Sequence, residues 1–228
     1  LTGAVTLNTT GDDGNATVKN GSTALDIAAS SVDGAFILTT TAAATVVNDS
    51  GLDFGATTVG GALTATATAG DITDSGVLDI TGAAIFNAAD GRSITLDSAS
   101  TFASTLDFNA ASGTLNSVWI DDSTALNLQA TTLDGNLTVR SGGEVTQTGA
   151  LDIGGTTDFI ITGSAANVTI TTNANDFTGA VSITNGAQMR LDTSGELVLG
   201  TIQGSWATIE SGGDVTQSAE GKFDTSNF

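Results

Sequence analysis

Apolar and polar residues alternate in many short runs along this sequence. Leu137-x-Val139 and Val168-x-Ile170 are two examples, and Val77-x-x-Ile80 is assigned to the same class. The runs are bounded by Gly, Asn, Asp and Ser, which favour turns. A period of two is the signature of a strand with one buried face, so we predict that Val139 and Ile170 point inward. Capped helical spacing is nowhere found, so essentially no helix is expected.

A long repeat organises these runs. Residues 71–80 (DITDSGVLDI) return without a gap as residues 144–153 (EVTQTGALDI), an offset of 73. The opening returns again at residues 214–218, a further 70 residues on. We therefore predict one domain over residues 1–228, with internal repeats at about 71–143 and 144–213 and partial repeats at both ends.

A shorter repeat lies inside the long one. Residues 25–36 align without a gap with residues 52–63, an offset of 27, and the pattern returns at residues 126–137. The long unit therefore divides into roughly three turns of about 20 to 27 residues each.

These repeats predict an all-β fold, a parallel β-helix (β-solenoid) of about ten turns. Each short strand pairs with its equivalent one turn later, with Val, Ile, Leu and Phe in a thin, mainly aliphatic core. Parallel crossover connections are overwhelmingly right-handed, so a right-handed coil is expected. The absence of Pro fits, because every inner strand must donate N–H groups to its neighbour.

Composition narrows the chemistry mainly by what is missing. The 228 residues include no Cys and no His, which removes thiol nucleophiles, disulfides, Ser-His-Asp triads and the common zinc sites. The 25 acidic residues outnumber the 5 basic ones, for a formal charge of −20. This charge argues against nucleic acid as a partner, and no apolar run is long enough for membrane insertion.

Three strings carry a family resemblance. Residues 145–159 (VTQTGALDIGGTTDF), 174–185 (ANDFTGAVSITN) and 207–218 (ATIESGGDVTQS) resemble the shaft repeats of filamentous-haemagglutinin-like adhesins, which bacteria export by two-partner secretion. The resemblance implies a right-handed β-helix and secretion to the bacterial cell surface or extracellular matrix. An adhesive role would require a carbohydrate or protein receptor on a host or cell surface, but the repeat pattern specifies no receptor. That family's secretion domain carries Asn-Pro motifs, and this chain has no Pro, so the resemblance is to shaft alone.

The predicted function is therefore not enzymatic. We expect a structural segment of a secreted surface fibre or adhesin, a stiff acidic rod that spaces or mediates adhesion. Leu1 begins at the repeat phase of Phe177, and Asn227-Phe228 ends where that phase would resume. The chain is thus expected to be a slice of a longer polypeptide or to stack end to end into filaments.

The alternative is a carbohydrate-active β-helix enzyme, a polysaccharide lyase or hydrolase. Its acid and base would be the adjacent pair Asp121 and Asp122. The motifs that surround the aspartates of polygalacturonases are missing, so no catalytic residue is assigned. The competing interpretation is that such pairs are turn residues that satisfy nearby N–H groups.

Calcium is the cation that this oxygen-rich chain would suit. The weak candidates for a metal site are Asp12, Asp13, Asp121 and Asp122. The glycine-rich calcium nonapeptide and the EF-hand loop are absent, so no cofactor is assigned beyond weak calcium binding.

The two tryptophans, Trp119 and Trp206, leave two interpretations open. Either could be an exposed platform for carbohydrate, or could pack in the core or at a strand edge, since both lie in alternating runs.

Overall fold

Strands are the only regular elements in the part of the chain that the structure describes. This computed structural model covers residues 3–9, 14–172 and 174–225. Within those ranges there is no α-helix, which confirms the all-β prediction. The same ranges hold no helix that could cross a bilayer.

The chain divides into two compact units, residues 1–115 and 116–228. The strands of the first unit are β1 (Ala4–Asn8), β2 (Ala16–Lys19), β3 (Leu25–Ser31), β4 (Ala35–Thr40), β5 (Ala44–Asn48), β6 (Leu52–Phe54), β7 (Thr57–Val59), β8 (Leu63–Ala67), β9 (Ile72–Asp74), β10 (Leu78–Ile80), β11 (Ala84–Ala88), β12 (Ile94–Phe102) and β13 (Thr105–Ala110). The strands of the second unit are β14 (Val118–Asp122), β15 (Leu126–Leu128), β16 (Thr131–Leu133), β17 (Leu137–Ser141), β18 (Val145–Gln147), β19 (Leu151–Ile153), β20 (Thr157–Ile161), β21 (Val168–Ile170), β22 (Asp176–Phe177), β23 (Val181–Thr193), β24 (Leu197–Ser211), β25 (Val215–Gln217) and β26 (Phe223–Asp224).

In the first unit, parallel strands stack on three faces. The first face carries β3, β5, β8, β11 and β13 in order. The second carries β6, β9 and the start of β12, and the third carries β7, β10 and the end of β12. Ala44 pairs with Leu63, and Ala84 also pairs with Leu63, so successive coils take 19 and 21 residues.

The second unit repeats this arrangement. Its first face carries β14, β17, β20 and the start of β23, and its second carries β15, β18, β21 and the end of β23. Its third face carries β16, β19 and β22. The fold is a parallel β-solenoid of about 11 turns, close to the predicted ten. The right-handed winding stays a prediction.

The 27-residue repeat is not one coil, and in this the sequence-based interpretation is wrong. Leu25 pairs with Ala44 on the first face of its unit, whereas Leu52 pairs with Ile72 on the second. The offset is therefore one coil plus one face. Every face needs the same apolar-x-apolar run followed by a corner. Similar sequence segments therefore recur from one face to the next as well as from one coil to the next.

The core consists of the inward residues of each face. Val139 and Ile170 are both 0 % exposed, as predicted. Val77 is 50 % exposed, because it precedes β10, whose inward residues are Leu78 and Ile80; its assignment to the buried run was wrong.

Aromatic packing makes the core of the first unit less aliphatic than predicted. The ring of Phe86 lies edge-on to Phe54 and Phe102, with centroids 6.2 and 6.1 Å away. It stacks on Phe108, its register partner, at 6.1 Å. Such pairs add stability beyond the area they bury.

The corners between faces hold the closest backbone contacts. A Cβ added to Gly82 would lie 2.5 Å from the Ala62 nitrogen, and one added to Gly61 would lie 2.5 Å from the Ala43 nitrogen. Corners of neighbouring coils therefore stack backbone on backbone, which only glycine allows at these positions.

A buried asparagine organises one corner of the first unit. Asn48 is 0 % exposed. Its Nδ2 donates to the carbonyl oxygens of Val32 at 2.9 Å and Gly51 at 2.6 Å, and its Oδ1 accepts the Val32 N–H at 3.0 Å. In the second unit, Asn175 is equally buried; it accepts the Leu151 N–H at 2.9 Å. These side chains replace the ladder partners that the backbone loses at a corner.

Removing this side chain should be costly. We expect Asn48→Ala to lower the free energy of unfolding by roughly 2–4 kcal/mol, because backbone groups of Val32 and Gly51 would be buried without partners. Asn8→Ala, at an exposed strand position, is the matched control and should change stability little. Guanidinium unfolding followed by circular dichroism measures both, and equal small effects would contradict the role of Asn48.

Candidate functional site

The adjacent carboxylates Asp121 and Asp122 do not form a shared site. They end β14, where successive side chains point to opposite faces. Asp121 pairs in register with Arg140 and forms an ion pair with its guanidinium on the outer face. Asp122 points inward at 0 % exposure, and its Oδ1 accepts the Thr124 N–H at 2.8 Å. The geometry thus separates the general acid and base that the enzyme alternative requires.

The weak candidates for a metal site are either not brought together by the structure or lie outside the residues that it describes. Asp12 and Asp13 lie outside the described residues. Within the ranges that the structure covers, no group of three or more His, Cys, Asp or Glu side chains could hold a metal ion. The Asp121 carboxylate binds Arg140, and Asp122 Oδ1 binds Thr124, so the two carboxylates have different protein partners.

Many corner oxygens bind the backbone of the next coil. Asp71 Oδ1 accepts the Ser93 N–H at 2.9 Å, and Asn136 Oδ1 accepts the Thr156 N–H at 2.8 Å. Such bonds were expected from the aspartate pairs; the structure has them at many other corners, where the partner often lies 20 or more residues away. The same bond is made by Asn15, Asp90 and Asn167.

Asp74 shows how burial changes one of these carboxylates. It ends β9 with its side chain inward and 9 % exposed. Burial raises the pKa of Asp74 to about 6, although hydrogen bonds from the Ser98 and Asp97 N–H groups oppose the shift. The negative charge of Asp97 raises the pKa further. Folding therefore shifts the protonation equilibrium of Asp74 toward the neutral acid.

A groove of about 860 Å³ follows one corner of the second unit. One wall is the loop at residues 162–167, between β20 and β21. Ala165 in this loop and Asn185 opposite it have φ angles of 59° and 63°, which is unusual for residues other than glycine. The Asn185 side chain donates to the Ile161 carbonyl at 3.3 Å. Such strained positions cluster at functional sites.

A second depression, of about 310 Å³, is lined by residues of β23 and β24 that follow the groove-lining residues in the sequence. We call it the Trp206 shelf and define it by Gln188, Arg190, Trp206 and Thr208. Gln188 pairs with Trp206, and Arg190 pairs with Thr208, so all four side chains stand on one outer face. Trp206 is 61 % exposed and Trp119 is 45 % exposed, so the structure supports exposure over core packing for both tryptophans.

The groove was not predicted, although one signal was present. The connection from β20 to β21 has six residues, whereas the equivalent connection from β17 to β18 has three. The coil from Thr157 to Val181 is accordingly 24 residues long, against 20 for the preceding coil from Leu137 to Thr157. The repeats were aligned by their apolar residues, and this alignment did not reveal the longer connection between β20 and β21.

The raised pKa of Asp74 predicts a pH-dependent stability. The contribution of Asp74 to stability is complete below pH 3.8, its pKa in the unfolded chain, and is lost as the pH rises through about 6, its pKa in the folded chain. Between pH 4 and pH 7, the free energy of unfolding of the wild type should fall by up to roughly 3 kcal/mol relative to that of Asp74→Asn, whose side chain stays neutral. Denaturant unfolding across this range measures the difference. Asp49→Asn controls for the loss of one surface charge. A difference between wild type and Asp74→Asn that does not vary with pH would contradict the assignment.

Comparison with known proteins identifies a family of repeats. The family described as repeats of unknown function (DUF5649) matches residues 41–109 and 110–184, two successive copies. No curated protein matches the sequence, and no solved structure matches it either. The two copies cover more than half of the chain and coincide with stacked coils of the solenoid. The chain belongs to the DUF5649 family of repeats.

Proposed function

We propose that this chain is a structural segment of a secreted bacterial surface fibre or adhesin, which extends by stacking further coils of the same repeat. The resemblance to adhesin shaft repeats supports secretion and surface location. The parallel ladders and the bonds between coils support a mechanical role, because each coil gives the next one a template of N–H and C=O groups.

The observation that carries the proposal is a contrast between two copies of one motif. Val145-Thr-Gln in β18 lies between β15 and β21, and Val145 is 0 % exposed. Val215-Thr-Gln in β25 pairs with β24 on one side, and Val215 is 50 % exposed. The same apolar position is thus covered inside the stack and uncovered at its last described coil.

The neighbouring strand at that coil shows the same feature. Phe223 in β26 pairs with Ile202 and is 52 % exposed. In the first unit, β1 pairs with β3, and its alternating Val5 and Leu7 are partly exposed. Open edges with apolar rows are templates for pairing with another chain. We propose that a further coil of the same repeat covers the edge formed by β25 and β26, and that in the purified chain a second copy supplies that coil.

The surface charge sets the conditions for this association. A chain with a formal charge of −20 repels its own copies. Salt screens that repulsion while leaving the apolar contact and the backbone pairing intact. Association should therefore strengthen as ionic strength rises, the opposite of an interface held by ion pairs.

The test is the assembly state of the purified chain. We expect sedimentation velocity and electron microscopy to show concentration-dependent, unbranched oligomers that increase between low and high salt. The double variant Val215→Lys, Phe223→Lys should remain monomeric, because it places two charges on the open edge. Val77→Lys, which charges an equally exposed valine of the first unit, should assemble like wild type.

Two results would overturn the proposal. One is a wild-type chain that stays monomeric at every concentration and salt level. The other is a double variant that assembles as wild type does. Immunogold labelling of intact source cells tests the surface location separately, and the absence of label outside the cell would contradict it.

A further inference from the structure

We propose that the Trp206 shelf and the adjoining corner groove bind a saccharide that carries an isolated carboxylate. The site uses outward side chains of β23 and β24, whereas the proposed function uses the apolar residues of β25 and β26, which pair with an earlier part of β24. The inference therefore does not depend on end-to-end assembly.

The first step concerns Trp206. At 61 % exposure it presents more of its surface than the other large apolar side chains that the structure shows exposed. Its strand neighbours Ala207 and Ile209 pair with the buried Met189 and Leu191, so the indole stands on the outer face. An exposed indole supplies a flat apolar face together with an N–H donor, a combination suited to the apolar face of a sugar ring.

The second step concerns the polar groups around the indole. Gln188 is the register partner of Trp206, and Thr208 is the outward residue that follows it in β24. Their amide and hydroxyl groups stand within the spacing of cross-strand neighbours. They offer both donors and acceptors, which is what the hydroxyl groups of a sugar require.

The third step concerns Arg190, which explains why the proposed ligand carries a carboxylate. Arg190 lines the shelf and forms no ion pair among the residues that the structure describes. A guanidinium binds a carboxylate through two parallel N–H donors. Two carboxylates continue the same face: Asp192 is the next outward residue after Arg190, and it pairs in register with Glu210. They discourage a ligand with a charge on every ring, so one isolated carboxylate fits best.

The fourth step extends the site into the groove. Ala187 and Ser205 line the groove, and each directly precedes a residue of the shelf in β23 or β24. The groove volume lies in the range of small-ligand sites. At its far end, Arg140 is held by Asp121 and keeps 46 % of its side chain exposed. The strained conformations of Ala165 and Asn185 shape the walls before any ligand arrives.

The test compares three tetramers matched in length. Xylotetraose has no carboxylate, xylotriose with one 4-O-methylglucuronic acid has one, and tetragalacturonic acid has four. We expect the singly charged tetramer to bind about tenfold more tightly than the other two. Quenching of Trp206 fluorescence, in a Trp119→Phe background, measures the affinities with a single reporter.

Variants separate the parts of the site. Trp206→Ala should abolish binding, which calorimetry detects without the fluorophore. Arg190→Gln should lower the affinity for the singly charged tetramer about tenfold and leave the affinity for xylotetraose unchanged. Trp119→Ala removes the other exposed tryptophan and should bind like wild type. Unchanged circular dichroism spectra establish that each variant folds.

The outcomes are decisive in both directions. Preference for the singly charged tetramer, lost in Arg190→Gln, supports the proposal. Failure of all three tetramers to bind, equal binding of the neutral and singly charged ones, or full binding by Trp206→Ala would overturn it. None of these results bears on assembly, which the Val215 and Phe223 variants test.

Discussion

The backbone ladder between one coil and the next is the interaction on which everything else in this structure depends. Its strand spacing of about 4.8 Å leaves little room at the corners, and this explains why Gly61 and Gly82 cannot carry a Cβ. It also places equivalent side chains in rows, so that Val139 lies between Ile120 and Phe159. A thin core becomes stable only because each coil buries the next.

The ladder also explains the unusual composition. Corners interrupt the pairing of strands, and short polar side chains restore it, as Asp71 does for Ser93 and Asn48 does for Val32. Asp and Asn have the reach for this bond, and an acidic surface follows from using Asp so often. The resulting charge of −20 favours solubility and opposes association, so any assembly depends on apolar edges and on salt.

Sequence analysis identified the architecture because alternation and repetition are properties of single strands and coils. Val139 and Ile170 were placed correctly for that reason. The 27-residue offset was misread as one coil, because faces share one pattern and a shift of one face imitates a repeat. The groove was missed because it arises where a lengthened loop meets neighbouring coils, and the Trp206 shelf because only the register of β23 with β24 brings its residues together. No linear pattern contains that juxtaposition, although the exposed tryptophan itself was considered.

The most direct test of the coil assignment uses engineered cysteines, since the chain has none of its own. Asp26 pairs in register with Thr45, whereas Asp53 is its counterpart in the 27-residue repeat and pairs with Thr73. Register partners on adjacent strands lie within the Cα range of a disulfide. Under mild oxidation, Asp26→Cys with Thr45→Cys should cross-link nearly completely, and Asp26→Cys with Asp53→Cys should stay reduced. Efficient cross-linking of residues 26 and 53, with none between 26 and 45, would contradict the account.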